Sequence, residues 1–192
     1  MYDETQMKII NAAMNLVMEK GYSATTTKDI AKAAEINECT IFRKFKGKKD
    51  IVLSAMELPE WNPCLREQDF QTCGDVEKDL ISFAKMYMCK VTPRMVKVSI
   101  GLRTPELYKE TAPGIMEVPQ TFKKVLLDYF LNLQDQGKLK NFDAEALTMQ
   151  FISMNFGFVF LDASFEGKLS GVSKEEYIEN SVKVFIHGIG ME

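Results

Sequence analysis

The chain has 192 residues, 46% of them apolar, with 11 glycines and 6 prolines. That is enough for one good core, or a small domain beside a larger one, and it excludes a disordered chain. Lys and Arg number 24 against 27 Asp and Glu, a formal net charge of −3, which excludes a uniformly basic protein. Cys39, Cys64, Cys73 and Cys89 form no C-x-x-C pair and His187 stands alone, so the expectation is a cytoplasmic protein with reduced thiols and no metal or cofactor. We read no basic-then-apolar leader and no apolar run long enough for a membrane span.

The first helix is expected over Thr5 to Lys20, with Met7, Ile10, Met14 and Val17 at spacings of three and four. Gly21 ends it. Thr26 followed by Asp29 fits a capping box for a second, short helix. Ile30, Ala31, Ala33 and Ala34 give that helix a small apolar face. Glu35-Ile36 breaks the pattern, and Asn37 is a good N-cap for a third helix reaching Phe45. Ile41 and Phe45, four apart, point to a core, while Thr40, Arg43 and Lys44 project elsewhere.

Two short capped helices on a tight turn, the second basic on its free face, are the pattern of a helix-turn-helix. Arg43, Lys44, Lys46, Lys48 and Lys49 make five cations in seven residues, a density suited to phosphates. The charge is also polarised. Residues 1–58 carry nine Lys/Arg against eight Asp/Glu, and the remainder fifteen against nineteen, which orients the molecule on a duplex. Thr40 and Lys44 are the candidate base contacts, Arg43 and Lys48 the candidate phosphate contacts. Thr27 and Lys28 can touch the backbone, and Phe42 can cover a thymine methyl or pack. Glu38 would repel phosphates but can accept from a cytosine amino group.

The run from Gly21 to Val52 resembles the DNA-binding domain of tetracycline-repressor (TetR) type regulators. The resemblance rests on Gly21-Tyr22, Thr26, Ile30-Ala31, Thr40-Ile41-Phe42, Phe45 and Lys48. The sequence departs from the family pattern at Glu35, where Gly is usual, and at Glu38, Cys39, Phe42 and Lys44. Glu35 is expected to leave the turn less relaxed.

A fourth helix begins near Lys48, with Ile51, Val52 and Ala55 inward, and Pro59 ends or bends it. Lys48 and nearby backbone N–H groups could bind a phosphate there. Trp61 to Cys64 read as a loop or irregular helix end. From Asp75 a second set follows: a helix marked by Val76, Leu80, Phe83, Ala84, Tyr87 and Val91, then a short one from Met95 to Leu102. A Pro- and Gly-punctuated stretch runs to Gly114. A longer helix spans about Pro119 to Gln136, and another starts at Asp143. Between Leu147 and Phe165 apolar groups occupy more than one face, so that helix should be buried on both sides. Ser173 with Glu176 caps the last helix.

The whole reads as an all-α chain: an N-terminal three-helix helix-turn-helix domain, 1–58, and a C-terminal helical ligand-binding and dimerisation domain, 59–192. The last two helices suit an isologous four-helix homodimer interface, and the resemblance implies the same. It also implies operator DNA and a small-molecule effector as partners, with repression the commoner role. Phe83, Tyr87, Phe122, Tyr129, Met154, Asn155 and Phe158 are the candidate lining of a largely apolar effector pocket; each can equally belong to a filled core. Asn155, a lone amide among apolar neighbours, needs a partner in a ligand or a nearby backbone group. No catalytic set or Gly-rich phosphate loop is present, so no enzyme is expected.

Overall fold

The computed structural model describes residues 2–139 and 142–190. Among these residues it contains α-helices, one short 3-10 turn at Glu67–Asp69, and no strand. The helices are α1 (Glu4–Lys20), α2 (Thr27–Ala33), α3 (Glu38–Lys44), α4 (Lys48–Ala55), α5 (Val76–Lys90), α6 (Pro93–Gly101), α7 (Tyr108–Asp135), α8 (Ala144–Phe165) and α9 (Lys174–Gly188). They pack as two compact units, one of residues 1–63 and 94–116, the other of residues 64–93 and 117–192.

In the first unit α1 is the spine, touching α2 and α4. Asp3 caps it in a reciprocal box with Gln6. Ile9, Ile10, Ala13, Met14 and Val17 are buried along one stripe, and each fully buried large aliphatic contributes about 1.5–3 kcal/mol. Gly21 closes the helix at φ 80°, a conformation that favours glycine. The turn that follows is tied by the Thr25 hydroxyl, which donates to the Gly21 carbonyl at 2.9 Å. Ile41 and Phe45 are buried as their spacing requires. Trp61 is fully buried, donates its indole N–H to Asn11 at 3.1 Å, and carries the Arg94 guanidinium over its ring. Helix α6 approaches α1 closely at Gly101, where a Cβ would lie 2.9 Å from the Val17 carbonyl oxygen.

Two sequence expectations change here. On α2 only Ile30 and Ala31 are buried; Ala33 is exposed and Ala34 half-buried. Helix α7 begins at Tyr108, so it runs through Pro113 and Pro119 instead of starting at the second. A proline inside a helix costs about 3 kcal/mol through a lost hydrogen bond and a clash. Burial of Leu107, Thr111 and Val118, and the Thr111 hydroxyl bonded to the Leu107 carbonyl, offset that cost.

In the second unit α5, α8 and α9 pack mutually, and α7 adds an aromatic row. Phe122 stacks on Tyr87 with centroids 4.3 Å apart, and Phe130 meets Phe185 at 6.0 Å. Contrary to the sequence expectation, helix α8 is long and apolar enough to cross a membrane by length and composition alone, a test that core helices of soluble proteins also pass. One face, with Leu147, Phe151, Asn155 and Val159, is buried. On the opposite face Met149, Phe156 and Phe160 are exposed, and Leu161 and Phe165 are exposed as well.

Candidate functional site

The basic third helix is built from local signals that all hold. Thr26 and Asp29 form the reciprocal capping box on α2. Asn37 caps α3 by accepting from the Cys39 N–H at 2.9 Å. Between the two helices Glu35 sits at φ 55°, a left-handed conformation where a side chain is strained. A third tie joins the helices directly: the Thr27 hydroxyl donates to the Glu38 carboxylate at 2.7 Å. Thus two residues expected to face DNA first engage each other. Glu38 is half-buried and its charge is held against α2.

The free face of α3 carries Thr40, Phe42 and Arg43. Phe42 is 58% exposed, high for a phenyl ring. Arg43 is exposed and makes no ion pair among the described residues, and the same holds for Lys28 and Lys46. The half-buried Thr40 bonds its backbone N–H to the Asn37 carbonyl. Lys44 is tied instead: its ammonium lies 2.6 Å from the Asp3 carboxylate at the start of α1. Lys49 pairs with Glu110.

Lys48 behaves differently from a free phosphate ligand. Its ammonium donates to the Tyr22 carbonyl at 2.7 Å and lies 3.9 Å from the centre of the Tyr22 ring. Burial lowers its pKa, with Glu106 opposing. The residue anchors α4 to the turn after α1 as well as presenting charge. The Lys46 N–H, at the entry to α4, is taken by Asp50 at 2.9 Å.

The aromatic candidates of the second unit divide into three groups. Phe83 and Tyr129 line a cavity of about 390 Å3. Tyr87 and Phe122 are fully buried and stacked in the core. Met154, Asn155 and Phe158 lie on α8 and do not line that cavity. The Asn155 amide donates to the Phe151 carbonyl of its own helix at 2.7 Å. Phe158 stacks on Tyr177 at 4.1 Å, while the Tyr177 hydroxyl donates to the Met154 carbonyl.

Sequence reasoning passed over several other lining residues, Phe70, Thr72, Asp79, Asn132 and Gln136 among them. Asp79 had a readable signal. It stands on the apolar stripe of α5 with Val76, Leu80 and Phe83, where a carboxylate is out of place. It is 2% exposed and accepts from the Cys73 N–H at 2.6 Å, the Gly74 N–H at 3.3 Å and the Tyr129 hydroxyl at 3.1 Å. Burial, then the Asp79 charge, raises the Tyr129 pKa well above its usual value. Burial alone pushes the Tyr87 hydroxyl up to about 12. Among the described residues no cluster of His, Cys, Asp and Glu is arranged to hold a metal.

Residues 9–55 match the model of bacterial regulatory proteins of the tetR family, and residues 82–188 match the C-terminal domain of AefR-like transcriptional repressors. The chain is 30% identical over 189 residues to an uncharacterized HTH-type transcriptional regulator, YvkB, of Bacillus subtilis, with 98% of each covered. It is 25% identical over 188 residues to IcaR of Staphylococcus aureus, the negative transcriptional regulator of the biofilm operon icaADBC, covering 88% of this chain and 89% of that one. In fold it is similar to the fatty acid degradation regulator FadR of Bacillus halodurans, with a TM-score of 0.69, 19% identity and all of both chains covered.

Proposed function

The chain belongs to the TetR family of bacterial regulatory proteins and is a helix-turn-helix transcriptional regulator, not an enzyme; on that premise we propose how its parts divide the work. Residues 1–58 bind operator DNA, and residues 59–192 take a small, largely apolar effector and form the homodimer. The protein acts in the cytoplasm as a repressor that leaves its operator when the effector binds. What carries the reading is the outer face of α3, where Phe42 and Arg43 stand exposed beside the half-buried Thr40 on a helix clamped by the Asn37 cap and the Thr27–Glu38 bond.

In this reading Thr40 and Phe42 meet base edges, and Arg43, Lys28 and Lys48 meet phosphates. Lys44 reaches the duplex after parting from Asp3. A dimer joined through α8 and α9 sets two copies of α3 into successive major grooves, about 34–36 Å apart. The exposed apolar face of α8 supports that arrangement. An effector that prefers a different separation shifts the population away from DNA.

The test is a set of fluorescence-anisotropy titrations across varied operators and salt. Lys48→Ala is expected to weaken binding to all sequences and to flatten the salt slope by about one unit. Thr40→Ala is expected to relax sequence preference, a good base contact being worth about 1–3 kcal/mol. If neither variant, each shown to be folded by its melting curve, alters binding in its own way, the assignment of α3 to the groove is wrong.

A further inference from the structure

We propose that the cavity lined by α5, α7 and the 70–74 segment takes a ligand with an apolar or aromatic body and one positive charge, the charge seated against Asp79. This rests on the reading of residues 59–192 as the effector-binding part and narrows it to a ligand class.

Asp79 is the reason. Its carboxylate is buried, yet no cation pairs with it among the described residues. The two backbone N–H groups and the Tyr129 hydroxyl that donate to it keep it solvated by dipoles. Dipoles stabilise an anion without cancelling its charge, so a desolvated cation nearby is strongly attracted. The surrounding walls suit such a cation. Phe83 meets Tyr129 edge-on with centroids 5.2 Å apart, and Phe70 meets Phe83 edge-on at 5.4 Å. The faces of such rings hold an ammonium group. Val125 and Leu133 continue the apolar surface. Asp128 and Lys138 also line the cavity, and Lys124 lies 3.6 Å from Asp128. A volume of about 390 Å3 falls within the range of small-molecule sites. A polyanion would set its charge against a fixed carboxylate.

The experiment is isothermal titration of the full chain with three probes of one shape: phenylbutylamine, phenylbutanol and phenylbutyrate. The amine is expected to bind at least about tenfold more tightly than the other two. Asp79→Asn, checked for fold by circular dichroism, is expected to remove the amine's lead over phenylbutanol. Because Asp79 also holds the 73–74 backbone, the wild-type series stands as a test without the variant. No saturable binding of the amine, or equal binding of phenylbutanol or phenylbutyrate, overturns the proposal. Operator binding is measured on the same preparation. A protein that holds DNA but shows no cation preference loses this proposal alone. One that holds no DNA loses the helix-turn-helix reading, and the titration still decides the cavity.

Discussion

Asp3 serves two structures at once. One oxygen caps α1 by accepting from the Gln6 N–H at 2.8 Å, and the other lies 2.6 Å from the Lys44 ammonium. Lys44 and then the backbone bond hold its carboxyl below the usual aspartate range. In the proposed docking the duplex therefore competes with Asp3 for Lys44. Asp3→Asn keeps a capping oxygen but gives up the anion. It is expected to tighten DNA binding and to steepen the salt slope by about 0.9, the increment for one released counterion; anisotropy titrations at stepped salt measure both. Asp29 gives a pH signature of folding. The Lys20 ammonium first, then the Thr26 hydroxyl, lower its pKa from 3.8 to about 2. A carboxylate depressed in the folded state adds stability that is present above its unfolded pKa and lost as pH falls through the folded one. The contribution is therefore complete above pH 3.8 and disappears toward pH 2. Asp29→Asn is expected to flatten the fall of stability across that window, read from urea melts at stepped pH.

At the scale of the element, the helix starts were legible and one long helix was not. Thr26, Asn37, Asp143 and Ser173 each cap the helix assigned to them. A cap is an interaction across three residues, so its spacing is written in the chain. Glu35 was legible in the same way: a residue standing where the family has glycine is found at φ 55°. Glu35→Gly is expected to relieve that strain and stabilise the fold by about 1 kcal/mol, since the left-handed conformation costs a side chain about 1–2 kcal/mol and glycine returns part of it in entropy. In thermal melts that amounts to a rise of about 2–4 °C. Helix α7 shows the reverse. Pro113 and Pro119 are local arguments against a helix, and they are outweighed by burial of Leu107, Thr111 and Val118. Leu107 packs into a core with Ile9, Met14 and Trp61, far away in sequence, so no local rule reports it.

For the whole molecule the proposed dimer is decided by one surface. Phe156 and Phe160 lie one turn apart on α8, their rings 5.9 Å apart and each 38% exposed, and Val184 on α9 is 74% exposed. Phe160→Glu places a charge on that surface without touching the buried face. It is expected to give a monomer in sedimentation velocity. Operator affinity is then expected to fall by roughly a hundredfold, within the gain that joining two binding units supplies.

The sequence by itself determined the all-α class, the capped pair of helices with its basic third member, and the family. Each of these is encoded by residues within about a turn or two of one another, where spacing alone sets geometry. Only the tertiary structure decided which cations are free. Among the described residues Arg43 makes no ion pair, while Lys44, Lys48 and Lys49 are engaged by Asp3, Tyr22 and Glu110. It also decided that Asn155 is satisfied by its own helix and that a cavity opens beside Asp79. Burial and pairing depend on groups brought together from far along the chain, and composition does not say which of many apolar side chains will leave a gap.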